Sequence, residues 1–215
     1  MTSKNKTHVI PGSKGEHLIQ KEMGNHQRTK AFYNNQMLDY LNPLMQEFIV
    51  HQEMVFIGTS DGHGECDASF RAGHPGFIHV LGKRKLIFPE YRGNGVMARI
   101  GNMKENPHIG MIFIDFYKTG IGLHVNGRVQ IVKNEMVQTQ LKVPKKIIGE
   151  TKSKDGKCPE CWVVVEVEEA YIHCSKHVPK LQKLNKDIHW GTDDEVFKGG
   201  DAFKTKNCPR PWDND

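Results

Sequence analysis

Between residues 88 and 95 the chain reads Phe88-Pro89-Glu90-Tyr91-Arg92-Gly93-Asn94-Gly95, and these residue types suit an anion. The two glycines let backbone approach a ligand closely. An Asn at position 94 is a good helix cap. A helix starting there would turn unpaired N–H groups and the positive end of its dipole toward a negative group. Arg92 adds a planar fork that matches phosphate oxygens. Arg71, in Ser69-Phe70-Arg71-Ala72-Gly73, ends an adjacent predicted strand within reach of the same spot. Two arginines and a helix N-terminus describe a phosphate-ester site. The plainer alternative is two surface arginines beside a turn.

The same segment imitates a dinucleotide fingerprint. Gly93-Asn94-Gly95-Val96-Met97-Ala98 fits G-x-G-x-x-A, and Asp115 ends the next strand where a ribose-binding carboxylate belongs. Against it, Pro89 to Arg92 lengthen a connection that must be tight, and the rest of the chain lacks the strand–helix alternation of a parallel sheet. Cys158-Pro159-Glu160-Cys161 and Cys174-Ser175-Lys176-His177 imitate a zinc site. Trp162 to Tyr171 reads as one strand, which at ~3.3 Å per residue sets the two pairs ~30 Å apart, so no metal is expected. As a redox pair, Cys158 and Cys161 lack the strand–helix setting that lowers a thiol pKa. His124, His173, Lys176 and His177 are candidates to face a substrate or cofactor; each also reads as an ordinary solvated or interface side chain. Glu166 and Glu168 share a strand face, as acid/base partners or simply as a solvated face. Phe70, Phe77, Phe113 and Phe116 are core candidates before they are stacking platforms.

The elements that must hold these residues can be placed from caps and periodicity. Residues 1–12 are polar and aperiodic, a flexible arm. Ser13 and Glu16 form a capping box for a short helix. Asn25 precedes Phe32, Met37 and Leu41 at helical spacing, and Asn42-Pro43 starts a third helix through Phe48 and Ile49. Residues 13–53 are therefore a helical layer packed on a region of strands. From Met54 the pattern is of strands: Met54–Thr59, Cys66–Ala72, Phe77–Leu81, Leu86–Phe88, His108–Phe116, Ile121–Ile131 and a last one through Val163, Val165 and Val167. A single inserted helix carries Met97, Ile100 and Met103. Short strands, turn signals and few helices predict a mainly β fold with helices, a small closed or half-open antiparallel barrel over residues 54–184. Residues 185–215 read as a loosely packed tail. Lys+Arg 30 against Asp+Glu 25 gives a formal charge of +5 over 215 residues, too mild for a polybasic nucleic-acid binder. No apolar run reaches the ~18 residues of a membrane helix, and no apolar stretch comes after the first lysines as in a secretory signal. Five cysteines, an odd number, suit a reducing, cytoplasmic setting. Neither nucleic acid nor membrane is an expected partner.

Several separated motifs, in order, carry a resemblance: Cys66-Asp67-Ala68-Ser69-Phe70-Arg71-Ala72-Gly73, Pro75-Gly76-Phe77, Pro89 to Val96, Gly101-Asn102, Glu105-Asn106-Pro107, Gly122 to Arg128 and Val165 to Cys174. Over about Gly12 to Gly200 the chain resembles the pyridoxamine 5'-phosphate oxidase-like family, in the flavin-nucleotide-binding branch with the R-G-N loop. The resemblance implies a split β-barrel homodimer with FMN at the subunit interface. It implies a flavin oxidoreductase that takes a hydride from a small-molecule substrate or NAD(P)H, with a non-catalytic flavin carrier or sensor and a haem-binding split barrel as alternatives. The implied cofactor-binding residues are Ser69, Phe70, Arg71, Ala72, Phe88, Pro89, Arg92, Gly93, Asn94, Asn102, His124 and Lys176; no obligate catalytic side chain is implied. Gly95 stands where many relatives place a second basic residue. The C-terminal R-L-H-D-R segment of the oxidases proper has no counterpart, which argues against a pyridoxine substrate.

Overall fold

In the computed structural model, which describes residues 10–152, 158–185, 187, 194–198, 200–210 and 212, α1 (Lys14–Glu22) starts on the predicted capping box. Ser13 and Glu16 each accept the other's backbone N–H. Residues 1–9 of the expected arm, and part of the expected tail, lie outside the described residues. α2 (His26–Gln36) begins after Asn25, whose side chain makes no capping bond. The helical face expected to continue to Leu41 stops at Gln36. Met37–Leu38 form instead a two-residue strand, β1, because the open edge of the last strand satisfies their backbone groups. α3 (Pro43–Val50) starts as the sequence predicts, with the Asn42 side chain accepting from Met45 N–H at 2.9 Å.

Seven further strands come after it among the described residues: β2 (Met54–Ser60), β3 (Cys66–Ala72), β4 (His79–Gly82), β5 (Lys85–Glu90), β6 (His108–Ile114), β7 (Gly122–Lys133) and β8 (Cys161–His173). They pair antiparallel in the order β3-β2-β6-β7-β8-β5-β4, with β1 on the far half of β8. The sheet curls until β3, at one end of this path, comes up to β5 near the other. Arg71 on β3 reaches Glu90 on β5, and the result is a split antiparallel barrel. α4 (Ala98–Glu105) connects β5 to β6. Its Ile100 and Met103 enter the core, while Asn102 donates to Thr59 Oγ1 at 3.2 Å and Asn106 to Ser60 Oγ at 2.8 Å.

The barrel interior holds Val55, Ile57, Leu86, Phe88, Met111, Phe113, Val125, Val163 and Val165, all buried. Alternation on β7 puts Leu123 and Val125 inside. β8 departs from simple alternation. Val163 and Val165 face the barrel, but Trp162 and Val164 enter a second cluster with Ile87, Val132, Val137 and Ile147. That cluster lies on the outer side of the sheet, where Val137 and Ile147 come from α5 (Val137–Gln140) and α6 (Lys145–Glu150). Burial on both faces explains why the strand opens with the unbroken apolar run Cys-Trp-Val-Val-Val. The expectation of a single inserted helix is thus corrected: α4 has two short companions. The Trp162 indole N–H donates to Asn134 Oδ1 at 2.8 Å, so the buried ring leaves no orphan donor. Beyond β8 the chain is stitched to the barrel: Leu181 N–H donates to the Phe116 carbonyl at 2.8 Å and Lys183 pairs with Glu53 at 2.6 Å.

Candidate functional site

The loop of residues 91–97 between β5 and α4 is exposed around its glycines. Gly93, Gly95 and Met97 all have positive φ, 56°, 82° and 53°. A Cβ at either glycine would meet nothing within 4 Å, so the space beside both is open. Asn94 is not the helix cap the sequence predicts. Its Oδ1 accepts from Val96 N–H inside the loop, and Met97, in the left-handed region, precedes α4 with no side-chain cap. The first turn of α4 therefore keeps its N–H groups unclaimed by a capping side chain. Arg92 lies exposed on this loop.

At the foot of the loop sits a charged cluster of which the sequence announces only a part. Arg71 binds Glu90 through both ends of its fork, Nε to Oε1 at 3.1 Å and Nη2 to Oε2 at 2.9 Å, and its Nη1 donates to the Phe70 carbonyl. Arg99, on the first turn of α4, donates to Glu90 Oε2 at 2.9 Å. Glu90 is 1% exposed, Arg71 28% and Arg99 15%. The Nε of Arg99 is buried and has no hydrogen-bond partner. Burial pushes the Glu90 carboxyl above its ordinary range, and the Arg71 guanidinium pulls it partly back. Sequence reasoning misses Glu90 and Arg99. Glu90 shows there only as one letter of a loop, and Arg99 as one charge of a helix.

A second arrangement lies on the outer face of the sheet. Residues directly opposed on paired strands share a face, and one such row runs Phe70, Phe56, Ile112, His124, Tyr171 across five strands. The next row is Ala68, Gly58, Gly110, Asn126, Glu169. Small side chains in the second row beside large ones in the first carve a groove of about 470 Å³, lined by Phe56, Ser69, Phe70, Ile112, His124 and Asn126 among others. The Phe56 and Phe70 rings pack 5.4 Å apart with their planes inclined by 54°, and are 41% and 49% exposed. Phe70 is therefore not the core residue its type suggests, whereas Phe113 is fully buried. At the polar end His124 Nε2 lies 3.0 Å from His173 Nδ1, and the His124 ring stacks on Tyr171 at 4.7 Å. Burial first, then His173, holds the His124 imidazole below its ordinary range. β3 joins the two arrangements, since Ser69 and Phe70 line the groove and Arg71 comes next at the charged cluster.

The remaining expected residues scatter. Phe88 is 1% exposed and belongs to the core. Pro89 is half-buried on β5 and Ala72 ends β3. The Asn102 amide is spent on Thr59. Lys176 is exposed in a single 3₁₀ turn after β8. Asp115 accepts from Tyr117, Lys118 and Thr119 in its own turn. Glu166 and Glu168 are exposed partners of Lys85 and Arg128, a solvated face. Cys158 and Cys161 lie at one end of β8 and Cys174 and His177 beyond the other. Burial pushes the Cys161 thiol up to about 11, so it carries no reactive thiolate.

Comparison with known proteins returns one family and a set of distant folds. Among solved structures, HupZ of Group A Streptococcus is 15% identical over 66% of this chain and 99% of its own, with a TM-score of 0.43. A Clostridium acetobutylicum protein related to general stress protein 26, of the pyridoxinephosphate oxidase family, is 18% identical over 63% of this chain and 87% of its own, with a TM-score of 0.39. HutZ, a heme storage protein of Vibrio cholerae, is 13% identical over 61% and 94%, with a TM-score of 0.38. No curated protein matches. The family model described as pyridoxamine 5'-phosphate oxidase matches residues 41–174. That match begins just before α3, ends one residue past β8, and takes in the loop, the charged cluster and the groove. Over that extent, well more than half its length, the chain belongs to the pyridoxamine 5'-phosphate oxidase family.

Proposed function

We propose that the chain binds FMN and acts as an FMN-dependent oxidoreductase on a small substrate, with NAD(P)H as a candidate donor and two copies completing the site. The observation that carries this reading is the orphaned Nε of Arg99. A buried, permanently charged donor without a partner calls for an anionic acceptor. It stands beside Arg71, at the uncapped first turn of α4 and under an open glycine loop. A phosphate ester has enough oxygens to serve all three. Arg71, Arg92 and Arg99 would hold the phosphate, with backbone N–H groups of Gly93 and Asn94. Glu90 holds two of the guanidiniums in place. Bound FMN supplies the hydride and electron chemistry, and the chain supplies orientation and electrostatics. The groove beside Phe70 offers apolar and aromatic surface to a planar ring.

Absorbance of the purified protein followed by FMN titration tests the reading. Arg71→Ala and Arg99→Ala are each expected to weaken FMN by about 1.5–3 kcal/mol, roughly 10- to 150-fold, through loss of charge-assisted hydrogen bonds. A protein that takes up no FMN overturns the proposal. So do two variants that melt normally and keep wild-type affinity. Steady oxidation of NAD(P)H or another reductant separates an enzyme from a flavin carrier or sensor. A Soret band in place of flavin bands would move the chain to a haem-binding role.

A further inference from the structure

We infer that His124 and His173 form a binding site for a divalent transition-metal ion such as Zn²⁺ or Co²⁺ on the outer face of the barrel. The inference rests on the geometry of two imidazoles, one of which lines the groove offered to the flavin ring. Nε2 of His124 and Nδ1 of His173 lie 3.0 Å apart. Imidazole nitrogens bind Zn²⁺ at about 2.0–2.1 Å, so two nitrogens at this separation subtend about 95° at a shared ion, and an opening of about 0.3 Å would give the tetrahedral angle. The same contact is a hydrogen bond between the two rings, which shows that their nitrogens already face each other.

The pair is also held ready. On β7 and β8, His124 stands opposite Tyr171 and His173 opposite Gly122. A Cβ at position 122 would lie 2.7 Å from the His173 Cβ, so the glycine makes room for His173 to lean toward His124. Tyr171 stacks on the His124 ring with 19° between the planes and fixes its rotation. Fixed ring orientation is what outer groups provide at histidine metal sites. When the ion enters, the proton between the two nitrogens moves to the outer nitrogen of its own ring. Each ring then presents one lone pair and stays neutral. Among the described residues no group of three His, Cys, Asp or Glu gathers around an ion. The protein gives two ligands, and the other positions are left to water or to a ligand in the adjoining groove.

The test is a Co²⁺ titration of the untagged, full-length protein, followed by visible absorbance and calorimetry. One Co²⁺ per chain is expected, competed by Zn²⁺. His124→Gln and His173→Gln are each expected to weaken binding about tenfold or more, and His63→Gln, in the β2–β3 turn, to leave it unchanged. Without any substitution, NMR of the wild-type histidine side chains under Zn²⁺ should move His124 and His173 first. Absence of stoichiometric uptake overturns the proposal. So does uptake that survives both substitutions, or Zn²⁺ shifts confined to other histidines.

Discussion

Glu90 decides how the charged cluster behaves. A carboxylate that is 1% exposed persists only with partners, and Arg71 and Arg99 are both within 2.9 Å of Oε2. Burial still holds its folded pKa above the ordinary value of 4.5. The folded state therefore binds this proton more tightly than the unfolded chain does. The stability this group contributes is complete below about pH 4.5 and is lost as pH rises through the folded pKa. The stability advantage of wild type over Glu90→Gln should accordingly shrink as pH rises across that window. Denaturant melts of both proteins at several pH values check the sign, and a growing advantage would contradict it. Arg71 and Arg92 are legible from the sequence because arginines beside glycines stand out. Glu90 and Arg99 are not, since an ion pair between β3 and β5 exists only once the sheet has curled. Phe88 misleads for a related reason: its place beside the loop in the sequence says nothing of which face of β5 it occupies.

Among the elements, the β7–β8 pair carries the most constraint, since β8 is buried on both faces at its start and bends at a bulge between Asn126 and Gly127 on its partner. A Cβ at Gly127 would lie 2.1 Å from the Glu166 carbonyl oxygen, closer than any contact a side chain can relieve, because the obstacle is backbone. Gly127→Ala should therefore cost about 3 kcal/mol, at the upper end of overpacking penalties. Gly101→Ala, on α4 with open space at its Cβ, should be neutral or slightly stabilising. Thermal melts of the two variants make the comparison. The period of two on β7 is plain in the sequence, and so are the caps at Ser13 and Asn42. α5 and α6 are not, because four and six residues hold too few turns to show a period. Met37 and Leu41 fall at helical spacing by coincidence, and strand pairing outweighs it.

For the molecule as a whole, the outer face of the sheet is too apolar to be finished. Phe56 and Phe70 are 41% and 49% exposed on the neighbouring strands β2 and β3, and exposed aromatic surface of this kind ordinarily marks an interface. A second copy of the chain is the proposed cover, and the FMN proposal leans on it. Sedimentation should then report twice the 24.5 kDa chain mass. Phe70→Asp should shift the protein toward monomer, since a carboxylate opposite an apolar partner surface has no counter-charge. The folded monomer should tolerate the change, because substitutions at exposed positions usually stay within about 0.5 kcal/mol. A wild-type protein that sediments as a monomer, or a Phe56→Asp/Phe70→Asp double variant that remains dimeric, would remove this face from the interface. FMN titration of the wild-type protein above and below its dimer dissociation concentration then separates two designs. If affinity falls with the dimer, the second copy completes the cofactor site. If affinity holds while the dimer dissolves, Arg71, Arg92 and Arg99 of one chain bind the phosphate unaided, and the groove serves only to join the copies.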